Sequence, residues 1–247
     1  ASLGAVTATT DGTGTDKIRV YPMPTTSPIT PKTYTLEAGD NQQAYAMGYG
    51  FVPKFKLSGK LQEAVKVSGT WIGRQRIKRA FTSAVNVPAT LNEIMFGSGK
   101  LYIDDATIGT TQVMGALLGF ELNVETGLVE RYAADGNLYF SRVVQGAPSA
   151  SLKITFEHDA TGVSEQDKWE SNTKRLVRLE FTGPTLATQG TLYHNLTLRI
   201  DVAGKWESFD KLADDKGDNT VSGTLTAGDD GANFCTFTLV NEDITIP

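Results

Sequence analysis

The chain has 247 residues, 40% of them apolar and 21% charged, with 25 Gly, 2 His, a single Cys and a formal net charge of −5. That length supports one large or two small domains burying roughly 70–75% of the unfolded surface, and the acidic balance excludes a nucleic-acid grip built on a basic stripe. No apolar run reaches membrane-span length and no charged n-region leads into an apolar h-region, so a soluble, unexported protein is expected, and a lone Cys excludes an internal disulfide or a thiol metal cluster.

In chain order, the first 35 residues are poor in large apolar groups apart from Ile18-Arg19-Val20-Tyr21, and rich in Thr, Gly and Pro. Such a segment cannot offset its ordering entropy by burial. Two readings stand, a frayed terminus or an arm that orders only against a neighbouring subunit, with a single β domain over 36–247. Phe51, Pro53, Phe55 and Leu57 then alternate with Lys54, Lys56 and Ser58, and Val65, Val67 and Trp71 alternate with Lys66, Ser68 and Thr70. Period two over that length is the pattern of half-buried strands, here paired as a hairpin.

A long loop is expected over 74–99. Arg74, Arg76, Lys78 and Arg79 form the densest positive cluster of an acidic chain. They read either as a solvated loop or as a contact with an acidic patch on another copy, where opposite charges set register and orientation. FGSGK at 96–100 resembles a phosphate loop only superficially, because a Walker motif needs Gly at Ile94 and Ser or Thr at Leu101.

A second hairpin repeats the design of the first. Phe120, Leu122 and Val124 alternate with Glu121, Asn123 and Glu125; after turns at Gly127 and Gly136, Leu152, Ile154 and Phe156 alternate with Ser151, Lys153, Thr155 and Glu157. Each hairpin would bury one face and turn a polar face to water, as antiparallel sheets do. A helix is expected over 163–176, with Ser164 as cap, Asp167 three residues on, and Val163, Trp169 and Leu176 at roughly helical spacing. Strand patterns return in RLVRLEF, NLTLRIDV, NTVSGTLTA and FCTFTLV, the last placing Cys235 in phase with Phe237 and Leu239 as a buried structural thiol. Eight to ten strands and one helix predict a mainly β fold, an antiparallel sandwich or partial barrel with one flanking helix.

Chemistry is scarce. His158 and His194 stand without a nucleophile elbow, so no hydrolytic triad forms and no enzyme is expected. The acidic run Asp210 to Asp218 lacks EF-hand spacing and its closing Glu, and reads as a solvated turn; no cofactor or metal is expected. Asn195-Leu196-Thr197 is a glycosylation sequon in letters only, since it falls in an expected strand. One alternative is a carbohydrate-binding β-sandwich using Tyr132, Tyr139 and Trp206 as stacking faces.

Three segments, AMGYGFVPKFKLSGKLQEAVKVSGTWIGRQ (46–75), KLYIDDATIGTTQVMGALLGFELNVETGLVERYAADGNLYFSRV (100–143) and LTLRIDVAGKWESFDKL (196–212), resemble the major tail, or tail tube, protein of long-tailed bacteriophages. The resemblance keeps its order over roughly two thirds of the chain. It implies a structural virion protein, assembled in the host cytoplasm into six-membered rings that stack as the conduit for DNA ejection. Tape-measure, tail-tip and tail-terminator proteins are the implied partners, and DNA passes transiently without specific binding.

It also implies that each subunit gives a curved four-stranded sheet to the channel wall. The two hairpins supply four strands, and six copies would close a barrel without free edges. Ring contacts are then heterologous and closed, stacking contacts heterologous and open. The polar parity would line the channel with Lys54, Lys56 and Lys66 from the first hairpin and Glu121, Asn123, Glu125, Lys153 and Glu157 from the second. The lysines are expected to be neutralised by glutamates on adjacent strands, and segments 1–35 and 74–99 to make contacts between subunits.

Overall fold

A computed structural model describes residues 6–25, 30–40, 42–82, 92–215, 217–231 and 233–242. In chain order these form β1 (Lys17–Pro22), β2 (Tyr34–Gly39), β3 (Ala44–Lys60), β4 (Lys66–Ile72), β5 (Arg76–Lys78), a 3₁₀ turn at Phe96–Ser98, β6 (Gly99–Asp104), β7 (Gln112–Val113) and β8 (Leu117–Glu125). There follow β9 (Leu128–Arg131), β10 (Arg142–Gln145), β11 (Ser149–Glu157), α1 (Ala160–Glu170), β12 (Lys174–Thr185), β13 (Asn195–Phe209), β14 (Ala213–Asp215), β15 (Asp218–Ala227) and β16 (Cys235–Asn241). With 55% strand and 6% helix the fold is mainly β, as expected, and its antiparallel sheet does not close into a barrel. The strands outnumber the eight to ten expected because several short ones, β5, β7 and β14 among them, are too brief to show a period.

The two hairpins lie side by side in the order β4-β3-β8-β11, every neighbour antiparallel. Leu57 stands opposite Leu122, Leu122 opposite Leu152, and Leu152 opposite Leu225 on β15, so one leucine row crosses four strands. All four are buried. The long strand β13 turns the corner to a second layer: its residues 197–202 lie between β12 and β16, while its far end pairs with β15. At that corner a Cβ on Gly204 would stand 2.1 Å from the Thr226 carbonyl oxygen, so only glycine lets the two backbones come this close. The core between the layers holds Phe120, Ile154 and Phe156 against Val177, Phe181 and Ile200. On the opposite face of the second layer, Arg178 bonds Asp201 directly across the β12–β13 ladder, and Arg199 bonds Glu180 beside it.

Two expectations are revised here. Within the stretch expected to be an arm, Lys17–Pro22 pairs with β16 of the same chain along its full length, and Tyr34 already belongs to β2 against β3. The short apolar patch of residues 18–21 suffices because the strand it joins supplies the burial. The helix occupies 160–170 rather than 163–176: Asp159, not Ser164, is its N-cap and accepts from the Thr161 and Gly162 amides, while Leu176 is a buried strand residue of β12.

The helix docks through charge rather than an apolar stripe. Its buried residues are Gly162 and Glu165, whereas Val163 is exposed and Trp169 packs obliquely on Phe209. Glu165 takes two bonds from the Arg175 guanidinium, 2.8 and 2.6 Å, and one from the Trp206 indole at 2.9 Å; Arg175 also reaches Asp105. Bidentate geometry and full satisfaction allow such a pair to be buried. Removing one partner strands the other charge. Glu165→Ala is therefore expected to lower stability by about 3–5 kcal/mol in chemical denaturation, well beyond what truncating a half-exposed helical carboxylate costs.

Candidate functional site

The polar face of β4-β3-β8-β11 is built by the same register as the core. Lys54 stands opposite Glu125; Lys56 opposite Asn123 and through it Ser151; Ser58 opposite Glu121 and through it Lys153; Lys66 stands opposite Ser58 on β4, and Glu157 ends β11 opposite Thr220. All eight residues read from the sequence as one polar face lie on it, Lys54, Lys66, Asn123, Glu125 and Glu157 exposed and Lys56, Glu121 and Lys153 partly exposed. Their apolar alternates Phe120, Leu122 and Val124 point into the core of the chain itself. Between β4, β3 and β8 the face opens into a groove of about 450 Å³ bordered by Lys54, Lys56, Ser68, Thr70, Asn123 and Glu125.

Each of the four lysines meets a carboxylate at 2.6 Å. Lys54 pairs with Glu125 straight across the ladder and Lys56 with Glu121 on the diagonal, both between adjacent strands as expected. Lys66 instead takes Glu63, three residues back in its own turn, and Lys153 takes Asp210 from the segment after β13. Glu63 was legible in principle, from its i, i+3 spacing to Lys66. Asp210 was not, since 57 residues separate it from Lys153. The Lys56 ammonium, followed by the Asn123 amide at 3.0 Å, holds the Glu121 carboxyl below the usual carboxylate range.

The first hairpin departs from the expectation that both of its strands bury one face. β4 is exposed along almost its whole length; Val67 is 70% and Trp71 40% exposed, although both share the parity that β3 turns into the core. Trp71 meets only the edge of Tyr34 among the aromatic rings. Among the described residues β4 is also an edge strand, paired on its β3 side alone, whereas the far edge of β11 is taken by β15 over residues 151–157. Among the described residues the four-stranded unit thus has one free edge, not the two that a simple end-to-end closure of four-stranded units requires.

The positive cluster is more engaged within the chain than a loop would be. Arg74 lies 3.8 Å over the Tyr49 ring, near Tyr139 and Phe140, and donates to the Ser141 carbonyl. Arg76 lies over Tyr45 and Arg79 reaches Glu37 at 3.6 Å, while Lys78 is exposed on β5 opposite Tyr45. Of the expected 74–99 loop, residues 76–78 are strand and 96–98 a 3₁₀ turn; 83–91 lie outside the described residues.

Other motifs resolve into structure. Phe96 of FGSGK is buried, and Gly99 lies against Phe181. The 210–218 run contains the β14–β15 hairpin. Cys235 is buried, which pushes its thiol pKa up. Trp206, proposed as a sugar-stacking face, is buried between Phe156 and Phe209 and cannot serve as one.

A family model described as phage tail tube protein matches residues 1–228. No curated protein matches the chain.

The depressed Glu121 pKa has a definite sign. Its pair contributes stability above the ordinary carboxylate pKa and loses it as pH falls through the lower folded value. Glu121→Gln is expected to cost about 0.2–1 kcal/mol at neutral pH, the range for exposed cross-strand pairs. That difference should shrink in high salt and vanish in acid. Urea titrations across pH test this, and a cost independent of both pH and salt would count against the pair.

Proposed function

The chain belongs to the phage tail tube protein family, and on that premise we propose that its copies join side by side into six-membered rings, stacked as the hollow tube through which phage DNA is ejected into the host. The family itself makes the protein a structural component of the virion tail that self-assembles into a tube. Ring size, channel face and DNA passage are our reading.

The observation that carries it is β4: a free edge combined with an uncovered apolar face. A long edge strand with exposed Val and Trp is a hazard in a monomer, and a natural joint in an assembly. In this reading β4 of each copy lies against the next, and repetition of that heterologous contact closes a ring. The joint needs only one exposed edge per copy, which accommodates the pairing of β11 with β15.

The polar face then lines the channel, because the opposite face of β3, β8 and β11 is committed to the core. Lys54, Lys56, Lys66, Glu121, Asn123, Glu125, Lys153 and Glu157 are the proposed lining. Arg76 and Lys78, together with the first residues of the chain, are the proposed contacts between subunits; Arg74 and Arg79 contribute through the positions they hold within the hairpin. Tape-measure, tail-tip and tail-terminator proteins are the proposed partners at the tube ends.

Electron microscopy of the concentrated pure protein should show hollow tubes, and antibody against it should decorate the tail of virions. Val67→Glu should leave the circular dichroism and melting temperature of the monomer unchanged, since that side chain has little to lose within the chain, yet abolish tubes. Wild-type protein that stays monomeric under all conditions, with no antibody signal along the tail, would overturn the reading.

A further inference from the structure

The strands β3 and β8 carry an apolar projection at one end and an apolar recess at the other. At the first end, β9 and β10 form a separate two-stranded hairpin. Its base is fixed by a small core of its own, Phe51, Leu128 and Phe140, with Tyr132 edge-on to Phe140 and Arg74 clamped over it. Its tip is uncovered: Leu138 is 100% and Tyr132 66% exposed, with Asp135 between them at a turn made by Gly136 at φ +81°. A leucine held fully in water between β9 and β10 gains burial from any contact that covers it.

At the opposite end, a recess of about 350 Å³ lies between the β3–β4 turn and the β6–β7 edge, bordered by Leu61, Phe96, Leu101, Met114 and Leu117. Met114 there is 80% exposed. Lys100 lines the recess, and Lys60 precedes Leu61 in the chain. Phe51 and Lys60 are nine residues apart on β3, so projection and recess are separated by about 30 Å along the strands.

We infer that the tip of the β9–β10 hairpin of one copy seats in the Leu61–Met114 recess of a copy in the next ring, with Leu138 and Tyr132 against the apolar floor and Asp135 facing Lys100. The occupant is a second copy because both halves are on this chain and the one charged residue at the tip, Asp135, is complementary to Lys100 in the recess. Their placement at opposite ends makes the contact heterologous and open: each copy that docks presents a fresh projection and a fresh recess, and growth continues along the strand direction. The inference rests on the tube reading and adds the axial joint to the lateral one at β4.

Disulfide trapping tests the pairing. Copies carrying Leu138→Cys are mixed with copies carrying Met114→Cys and oxidised; Cys235 is buried and does not compete. A covalent dimer of the two variants, absent when either is oxidised alone, is expected. Lys100→Glu should raise the protein concentration needed for elongation on the order of tenfold or more, and Asp135→Lys in the same chain should restore it.

Tubes without the cross-link, or unchanged elongation by Leu138→Asp, overturn the axial joint while leaving the tube reading intact. A cross-link without tubes keeps the joint and sinks the tube. Neither cross-link nor tube removes both, whereas capture of the recess by a different virion protein in place of a second copy overturns the axial joint alone.

Discussion

The row of leucines that crosses β3, β8, β11 and β15 sets everything that faces away from it. Burying a leucine stabilises by about 1.5–3 kcal/mol, and four stand in one line at Leu57, Leu122, Leu152 and Leu225. An exposed lysine–glutamate pair is worth about 0–1 kcal/mol. The core therefore chooses the register, and the charges accept it: a slip of one residue would turn every leucine outward. Because the side-chain period is two, the register that stacks Leu57 on Leu122 also sets Lys54 opposite Glu125 and Lys56 diagonal to Glu121. The arrangement of charge on the polar face is a consequence of packing on the other.

This explains which parts of the molecule were legible in the sequence. Period two over nine-residue strands such as β8 and β11 states both the strand and its buried face, so the two hairpins and the eight polar-face residues could be read directly. The helix was readable as an event but not in its bounds, because it docks by Glu165 on Arg175 and Trp206 instead of by an apolar stripe. Its buried face includes a glycine and a carboxylate, which no hydrophobic spacing marks. Coverage was illegible as well. Val67 and Trp71 carry the same pattern as Phe55 and Leu57, and only the position of β4 at the sheet edge leaves them bare. Sequence gives the parity of a strand; what lies above it depends on contacts far along the chain, as Asp210 against Lys153 also shows.

The uncovered surfaces are not scattered. β4 runs along the side of the four-stranded unit, while the β9–β10 tip and the Leu61–Met114 recess sit beyond its two ends. In the proposed assembly, sideways and endwise contacts fall to different residues, so the strength of a ring and the rate of its elongation would be separable properties. Both proposed contacts are heterologous, and contacts of that kind let a single chain supply a closed ring and an open stack together. The acidic overall charge would not oppose this, since repulsion between copies is screened over about 8–10 Å at physiological salt.

On the proposed channel wall, the polar face would let nucleic acid pass without holding it. Affinity for phosphate comes from cations that release condensed counterions, and each further free cation steepens it. Here the lysines are not free in that sense: every one already has a carboxylate 2.6 Å away. A phosphate approaching Lys54 must displace Glu125 or leave it uncompensated beside a second anion, and either outcome offsets the gain from the new contact. Seen from beyond a Debye length the pair is a small dipole. Uniformly acidic side chains would achieve the same lack of adhesion only by raising the electrostatic cost of bringing DNA in, whereas paired charges keep the face hydrated and near neutral at once. Two of the four pairs, Lys54–Glu125 and Lys56–Glu121, are fixed by the leucine register beneath them, while Lys66–Glu63 and Lys153–Asp210 are set by a turn and by the segment after β13.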